Sequence, residues 1–338
     1  MKFITNILTL FFGIILALIV GEFLCRILIP YNDTNPIDII AHPKLPYLMK
    51  PDSKAVSIYG VEIRTNSFGF RGKEPPIIRG KTVMILGDST TFGYGVKEED
   101  TFSARLESHF NSCTSPLKSE IYFVNTGHSG FNLKNYYEML EEYGRIFKPD
   151  VVLIGVMGND FTVEQLTYTI NDGVGVTRGS IWDKYHIPSI FIRGLRQSAI
   201  YITVGNFIKS QPNRDKATFK KDISDLESEK VNSTEKILND FFSYSKKYDI
   251  PLFIFYLPTR SEFENNSHVH GEFIRLLKAV SQDGNNIYFL DLLDEMSDYS
   301  KKTKLIFSKQ DSVHPNSLGH QIIAEKIKPK IQKYFNPC

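Results

Sequence analysis

From Lys81 onward the chain alternates short apolar runs with segments of helical periodicity, and this alternation leaves few folds open to it. The runs lack the strict polar–apolar alternation of a half-exposed strand, so we expect the strands of a parallel sheet that is covered on both faces. The predicted strands are Thr82–Leu86, Ile121–Asn125, Val151–Val156, Leu252–Leu257 and Ile287–Leu290, and the predicted helices are Thr101–Phe110, Leu133–Ile146, Thr234–Lys247, Glu272–Val280 and Ser317–Tyr334. Asp100 is expected to cap the first helix. Five strands that alternate with helices predict a three-layer α/β fold.

The amino terminus carries an apolar segment, Phe3 to Gly21, in which Thr5, Asn6 and Thr9 are the polar residues. Its length is close to the roughly 20 residues that a helix needs to cross a bilayer. No A-x-A-like cleavage site follows it, and the residues before Cys25 lack the small side chain that a lipoprotein cysteine requires. We therefore predict that residues 1–29 form an uncleaved membrane anchor, which makes the chain a single-pass membrane protein.

Two further segments depart from the strand–helix alternation. Residues 30–80 are rich in proline near their start, which predicts a spacer and an N-terminal extension ahead of the main domain at 81–338. Residues 161–231, with the sole tryptophan Trp182, are too long for a plain connection. We expect this second segment to be an insertion with helices of its own, and we consider that it acts as a lid.

Composition excludes several classes of function. The net charge of +2 comes without a dense basic run, so no nucleic acid partner is expected. The three cysteines have no metal-ligand spacing, and neither HExxH nor paired-histidine patterns occur. No G-x-G-x-x-G or G-K-[ST] sequence follows the first predicted strand, so a nucleotide site is not expected.

Four short polar blocks follow predicted strands or precede the last predicted helix. They are Gly87-Asp88-Ser89, Asn125 to Asn132 ("NTGHSGFN"), Gly155 to Asp160 ("GVMGND") and Asp311 to Asn316 ("DSVHPN"). Ligands of open α/β sheets bind outside the carboxyl ends of the strands, so all four blocks are expected to meet at one rim of the sheet. Each block alone is a common turn or cap, but their joint order predicts a functional site.

The residue types in these blocks fit acyl transfer from an ester. Ser89 is a candidate nucleophile, His314 a candidate base, and Asp311 a candidate for holding the histidine tautomer. Candidate donors to an oxyanion are the backbone N–H groups of Ser89 and Gly130 and the side-chain amide of Asn159. A glycine at 130 also lets the backbone approach a substrate closely.

These blocks resemble those of the SGNH (GDSL-type) hydrolases, whose four defining residues correspond to Ser89, Gly130, Asn159 and His314. The resemblance covers about 81–334, with the middle insertion as the main departure and Thr90 where a leucine is usual. "RTNSFGFRG" upstream and "GDSTTFGYGVKEEDTF" as a whole resemble the membrane-anchored bacterial branch of this family. The resemblance implies a flavodoxin-like α/β/α fold, esterase chemistry, and neither a metal nor an organic cofactor.

Rival sites and rival functions remain open at this point. Ser129 in "GHSGF" nearly completes the G-x-S-x-G nucleophile motif, but Phe131 stands where the second glycine is needed. His128 is a rival base without a carboxylate at a comparable spacing. The leading function is an extracytoplasmic serine esterase that removes O-acyl groups, in particular acetyl groups, from envelope carbohydrate or lipid. The alternatives are an O-acyltransferase that modifies an exported polysaccharide and a non-catalytic envelope assembly protein.

Overall fold

The computed structural model describes residues 2–28, 37–57, 59–75, 80–112, 120–161, 167–209, 223–282, 286–296, 306–307 and 311–335. Their strands are β1 (Ile39–Ile40), β2 (Leu48–Met49), β3 (Lys54–Val56), β4 (Glu62–Arg64), β5 (Lys81–Leu86), β6 (Ile121–Asn125), β7 (Val151–Val156), β8 (Tyr168–Asn171), β9 (Val174–Thr177), β10 (Leu252–Tyr256) and β11 (Ile287–Asp291). Their α-helices are α1 (Lys2–Leu28), α2 (Ser89–Phe92), α3 (Phe102–Ser112), α4 (Leu133–Phe147), α5 (Ile181–Lys184), α6 (Ser189–Arg196), α7 (Ala199–Lys209), α8 (Ile223–Tyr248), α9 (Arg260–Asn265), α10 (Gly271–Gln282), α11 (Leu292–Glu295) and α12 (Ser317–Ile331).

The central sheet confirms the predicted fold. Within the described residues it has five parallel strands in the order β6-β5-β7-β10-β11. Counted along the chain this is the order 2-1-3-4-5, which is the flavodoxin-like arrangement. The strand order reverses between β5 and β7, and the carboxyl ends of these two strands therefore border the crevice where such sheets bind ligands.

Neighbouring residues of each strand point to opposite sides of the sheet, so both faces of the sheet are apolar. Helices cover both of these faces. On one face Ile154 of β7 belongs to an apolar cluster with α4, α8 and α10. On the other face Leu153 belongs to a cluster with α3, α11 and α12. The two clusters are the layers of a three-layer α/β/α fold.

The N-terminal extension corrects one sequence-based prediction. Residues 30–80 were expected to hold a spacer and an N-terminal extension; in their described part Leu45, Tyr47 and Phe70 are buried in the same apolar cluster as Met84 of β5, so this part is a packed extension. Two short antiparallel pairs, β1 with β2 and β3 with β4, carry this segment over the domain. Burial of large leucine and aromatic side chains offsets the ordering of a segment that has little regular structure of its own.

The insertion predicted at 161–231 carries a hairpin and helices in its described parts. Strands β8 and β9 pair across Asp172-Gly173, both with positive φ, as a two-residue hairpin turn requires. The helices α5, α6 and α7 follow. Helix α8 begins at Ile223 and not at Thr234, so the helix that was expected to follow the insertion starts inside its predicted range.

The start of α3 corrects a second prediction. Asp100 was expected to cap this helix, but it ends a short 3₁₀ turn, Glu98–Asp100, and its carboxylate pairs with Arg105. The hydroxyl of Thr101 accepts the hydrogen bond from the backbone of Ala104 instead. Thr101 is therefore the capping residue, one position later than predicted.

Helix α1 is long and apolar enough to cross a membrane by length and composition, with a mean hydropathy of 2.6 over its most apolar window. Its side chains are exposed or half-buried within the chain. A signal sequence has the same length and composition, so the helix alone is a candidate span and no more.

Candidate active site

Ser89 lies at the carboxyl end of the first central strand, as its position after "VMIL" predicts. β5 ends at Leu86, and Asp88 caps the short helix α2 by accepting a hydrogen bond from the backbone N–H of Thr90 at 2.8 Å. This cap starts the helix at Ser89 and leaves the serine half-buried at its first position, while Thr90 and Thr91 are buried. The turn thus presents the Ser89 hydroxyl outside the strand end.

A continuous chain of hydrogen bonds joins Ser89 to two residues that lie more than 220 positions later. The Oγ of Ser89 and the Nε2 of His314 are 2.8 Å apart, and the Nδ1 of His314 lies 2.5 Å from the Oδ2 of Asp311. A hydroxyl, an imidazole and a carboxylate in this order are the arrangement that removes a proton from a serine during nucleophilic attack. The structure thus brings these three predicted residues together in the predicted order.

Asp311 also shapes the loop that carries His314. Its Oδ1 accepts hydrogen bonds from the backbone N–H groups of Val313 at 2.7 Å and His314 at 3.1 Å. Although partial burial acts to raise the pKa of Asp311, its hydrogen bonds with His314 and Tyr59 hold that pKa well below its usual range. The carboxylate therefore stays charged at neutral pH, as a partner of an imidazolium must.

Tyr59 is a site residue that the sequence reasoning missed. Its hydroxyl donates a hydrogen bond to the Oδ2 of Asp311, the same oxygen that faces the His314 ring. Burial, together with this contact to a carboxylate, raises the pKa of Tyr59, so the tyrosine is a neutral donor. No signal in the sequence connects Tyr59 to Asp311, because the two lie 252 positions apart and Tyr59 belongs to no motif.

Two tyrosine rings border the histidine. The ring centroids of Tyr94 and His314 are 5.8 Å apart, and those of Tyr59 and His314 are 6.4 Å apart. The two tyrosines meet edge to face at 5.8 Å. They form an aromatic wall, called the tyrosine wall below, beside Ser89 and His314.

Asn159 lies on a turn that its neighbour Asp160 folds. The Oδ2 of the buried Asp160 accepts from the backbone N–H of Met157 at 2.7 Å, and its Oδ1 accepts from the hydroxyl of Tyr136 at 2.8 Å. These bonds close the 3₁₀ turn Gly158–Asp160 directly after β7 and leave Asn159 exposed. Burial and the charge of Asp88 raise the pKa of Asp160 well above its usual range. Asp160 thus places Asn159, a role that the "GND" block does not reveal by itself.

The amide of Asn159 reaches the nucleophile turn. It hydrogen-bonds the side chain of Asp88, the residue directly before Ser89. Complete burial raises the pKa of Asp88, while hydrogen bonds from Thr90 and Asn159 and the charge of His314 act in the opposite direction. The third block is in this way connected to the first at the switch point between β5 and β7.

Gly130 lies at the carboxyl end of the second central strand, in the turn that leads into α4. It is exposed and has a φ of 76°, a left-handed conformation that favours glycine. Its predicted part in an oxyanion site stays a prediction, since it depends on where a bound substrate would lie.

The rival residues have structural partners. His128 is fully buried between Tyr47 and Phe131, with its Nδ1 3.0 Å from the carbonyl of Thr126. Burial lowers its pKa to about 4. The carbonyl of Ser129 accepts a hydrogen bond from the hydroxyl of Tyr47 at 2.6 Å. This block therefore packs the turn after β6, and the structure gives it no serine–histidine–carboxylate chain of the kind found at Ser89.

The insertion approaches the site through α6. The positive charge of Arg196 lowers the pKa of Tyr94, which burial as the larger effect raises. The side chain of Arg196 also donates to the carbonyl of Gly175 on β9 at 2.8 Å. The charge of α6 thus acts on the tyrosine wall, and the role of the insertion as a lid stays a prediction.

A cavity of about 870 Å³ lies elsewhere, between the β3–β4 pair and α3. None of the three residues of the hydrogen-bonded chain lines it. Its charged lining is balanced between four basic and four acidic residues, namely Arg64, Arg71, Lys73 and Lys97 with Glu62, Glu98, Glu99 and Glu107. The lining of this cavity thus has no dominant sign of charge.

A known protein family and several solved structures resemble this chain. Residues 85–322 match the model of the GDSL-like lipase/acylhydrolase family, about two-thirds of the chain. No curated protein sequence matches it.

Similar solved structures include a psychrotrophic esterase, EstA, from Pseudoalteromonas sp. (16% identity, 76% of this chain and 99% of the other, TM-score 0.42). They also include a lipase/acylhydrolase from Enterococcus faecalis (14% identity, 75% and 96%, TM-score 0.45) and the acetyl xylan esterase AlAXEase (16% identity, 74% and 99%, TM-score 0.45). None of these likenesses bears on the substrate of this chain. The match to the family model, which runs from the end of β5 into α12, shows that the chain belongs to the GDSL-like lipase/acylhydrolase family and is a serine hydrolase of the SGNH type.

Proposed function

We propose that Ser89 attacks the carbonyl carbon of an ester and forms an acyl-enzyme. The observation that supports this is the hydrogen-bonded chain from Ser89 through His314 to Asp311. His314 accepts the hydroxyl proton of Ser89 as the C–O bond to the substrate forms, and Asp311 stabilises the imidazolium. His314 then delivers that proton to the leaving alkoxide, so the alcohol departs neutral.

The negative charge that develops on the carbonyl oxygen requires donors that are already in place. We propose the backbone N–H groups of Ser89 and Gly130 and the side-chain amide of Asn159 for this role. Ser89 is the first residue of α2, and the first N–H groups of a helix have no partner inside it. The amide of Asn159 acts as a donor toward the side chain of Asp88, directly before the nucleophile, which supports its place beside Ser89.

The second half of the reaction returns the enzyme to its resting state. Water donates a proton to His314 and attacks the acyl carbon, and the bond to Ser89 breaks as His314 returns the proton to the serine. The acid is released, and Ser89, His314 and Asp311 are again as they began. The scheme needs proton transfer, fixed donors and one water molecule, and side chains and backbone N–H groups of this chain supply the first two.

We propose that the substrate is an O-acylated carbohydrate or lipid of the envelope, with an acetyl group as the preferred acyl group. The tyrosine wall supports a sugar as the alcohol portion, because tyrosine combines an apolar ring with a hydrogen-bonding hydroxyl. The candidate span α1 supports an envelope location, with the catalytic domain outside the cytoplasm.

We also propose that α1 is retained as an anchor and is not removed as a signal sequence. Glu22 near its end binds the hydroxyl of Ser198 at 2.8 Å and the backbone N–H of Ala199 at 2.9 Å. Arg26 donates to the carbonyl of Gln197 at 3.0 Å. A helix that is cut off after export has no need of such contacts with the folded domain.

An acyltransferase is the second candidate, and the position of the insertion favours it. Tyr168 of β8, inside the insertion, packs edge to face against Tyr47 at 5.2 Å, and the hydroxyl of Tyr47 bonds the carbonyl of Ser129 beside Gly130, so the insertion borders the site where an acceptor must enter. If this segment excludes water from the acyl-enzyme, a sugar hydroxyl can take the place of water in the second half-reaction. Hydrolysis remains the leading proposal for the isolated protein, because water is always present, whereas a sugar acceptor must first be bound.

Two measurements test the proposal. A fluorophosphonate probe should label the peptide that contains Ser89 in the wild type and in Ser129→Ala, and should fail to label Ser89→Ala. Labelling at Ser129, or unchanged labelling of Ser89→Ala, would overturn the assignment. Product analysis with an acetyl donor, with and without an oligosaccharide acceptor, then separates the two reactions: free acetate supports the esterase, and acetylated sugar that accumulates faster than acetate supports the transferase.

A further inference from the structure

The insertion exposes a group of large apolar side chains on α6 and α7. Ile190 and Phe191 are 72% and 64% exposed, and Leu195, Tyr201 and Val204 are also exposed. These five side chains are called the α6–α7 face below. Single exposed apolar residues are ordinary on a protein surface, but several on two consecutive helices mark an interaction site.

The orientation of α6 is the reverse of what a helix on a water-exposed surface needs. Its arginines point to the protein: Arg193 pairs with Asp38 at 2.6 Å, and Arg196 donates to the carbonyl of Gly175. Ile192 is the buried apolar residue of the helix, while Ile190 and Phe191 point away from the domain. A soluble surface helix places its apolar side on the core and its charges in water. Helix α6 is therefore built for an apolar medium on its outer side.

The α6–α7 face is fastened to the end of the candidate membrane span. Glu22 of α1 accepts hydrogen bonds from Ser198, Ala199 and Ile200, which form the start of α7. Ala199 is fully buried at this contact, and Ile200 lies against Gly21. The beginning of α7 is thus held at the level of Glu22.

The length of the apolar segment gives the level of Glu22 relative to a bilayer. The run Phe3–Gly21 is about 28 Å long at 1.5 Å per residue, which is close to the thickness of the hydrocarbon core. Glu22 and Arg26 then lie in the interface between hydrocarbon and water, where charged side chains are tolerated. Ser198, bonded to Glu22, lies at the same depth.

From these contacts we infer that the α6–α7 face rests in the interfacial layer of the membrane that α1 crosses, with lipid as its occupant. The inference rests on the proposed retention of α1. An amphipathic helix in this layer buries its apolar side about 5–10 Å into the boundary between headgroups and acyl chains. The eight residues of α6 span about 12 Å, so Phe191 and Ile190 are within reach of the same layer as Ser198.

One consequence concerns the active site. The positive charge of Arg196 on α6 acts on Tyr94, whose ring lies 5.8 Å from that of His314. An enzyme attached to lipid at both α1 and α6 holds the Ser89 site close to the bilayer surface. The substrates that it reaches are then acylated groups at the membrane surface, and polymers far from the membrane are out of its range.

The test uses the full chain, with its three cysteines replaced by serine, in phosphatidylcholine vesicles. A single cysteine that carries an environment-sensitive fluorophore is introduced by Phe191→Cys, by Val204→Cys or, as a control, by Tyr248→Cys. Tyr248 is also an exposed large side chain, but it lies at the end of α8 that leads into the amino end of β10. Quenching is measured with nitroxide-labelled lipid and with a water-soluble quencher, after flotation has separated vesicle-bound protein.

We expect nitroxide lipid to quench the labels at 191 and 204 several-fold more than the label at 248, with the opposite order for the aqueous quencher. If the protein floats with the vesicles but the three labels respond alike, the inference is wrong and the anchor stands. If shielding at 191 requires a high protein-to-lipid ratio and no lipid quenching accompanies it, a second copy of the chain covers the face, which also overturns the inference. Protein that does not float would refute the anchor, and the inference with it.

Discussion

Replacing Asn159 with alanine tests two roles of one side chain at once. The amide lies on the turn after β7, is exposed to the site, and hydrogen-bonds the buried carboxyl group of Asp88. If the amide is an oxyanion donor, Asn159→Ala should lower kcat by roughly 10²–10³-fold with little change in KM, a loss of about 3–4 kcal/mol from the transition state. KM changes little because the donor acts on charge that develops after binding.

The same substitution should also lower the free energy of unfolding. A hydrogen bond to a charged group contributes about 1.5–3 kcal/mol, and Asp88 would lose one of the bonds that oppose its desolvation. The pKa of Asp88, already raised by burial, should rise further. Because the lost bond acts on the ionised carboxylate, the added loss is present where Asp88 is ionised in the folded protein and disappears as the pH falls through its raised folded-state pKa, below which the group is protonated in both variants.

Steady-state hydrolysis of an aryl acetate and denaturant unfolding of the same preparations measure the two effects. Asn111→Ala is a matched control, because the side chain of that asparagine also makes hydrogen bonds, to the backbone of Ile121, but at the amino end of β6. The control should lose stability and keep its kcat. Near-normal turnover of a folded Asn159→Ala enzyme would refute the oxyanion role and leave Asn159 as a cap for Asp88.

Two further predictions concern Tyr59 and His128. Tyr59→Phe removes the donor to Asp311 but keeps the ring, so the pKa of Asp311 should rise toward its ordinary value. The kcat should fall about tenfold, which corresponds to the free energy of one hydrogen bond. Tyr94→Phe is the control, and an equal loss of kcat in both variants would count against this role of Tyr59. Burial lowers the pKa of His128 to about 4, whereas the pKa in the unfolded chain is about 6.5. As the pH falls from 6.5 to 4, the wild type should therefore lose about 3 kcal/mol of its free energy of unfolding through this group. Denaturant unfolding of His128→Asn across that range should be less pH-dependent by this amount, and parallel curves for the two proteins would contradict the reasoning.

The parts of the fold that could be predicted from the sequence are those with a long local pattern. Each central strand is a run of four to six apolar residues, and the observed ends differ from the predicted ones by one residue at most. The meeting of the four blocks followed from topology, because parallel strands place their carboxyl ends at one rim. The position of a residue such as Ser89, which directly follows a central strand, could therefore be predicted before the structure.

The parts that could not be predicted depend on contacts between distant segments. β1 and β2 have two residues each, which is too short for a hydrophobic periodicity to be recognised. The prolines around them favoured a spacer. The Asp172-Gly173 pair is a hairpin signal that the sequence reasoning overlooked inside the insertion. Tyr59 and Asp160 support the site through bonds whose partners cannot be identified from one sequence.

The extension before β5 belongs to the active site as much as the strands do. Arg71, 3% exposed, donates to the carbonyl of Phe92 at 2.9 Å and to that of Val96 at 2.5 Å, and so holds the chain directly after the helix that begins with Ser89. Tyr59, from the same extension, holds Asp311 at the other end of the hydrogen-bonded chain. The extension also pairs through Asp38 with Arg193 of α6, the helix inferred to rest on lipid. Because one segment contacts the nucleophile turn, the carboxylate and α6, removal of residues before 81 should lower activity even if the sheet folds.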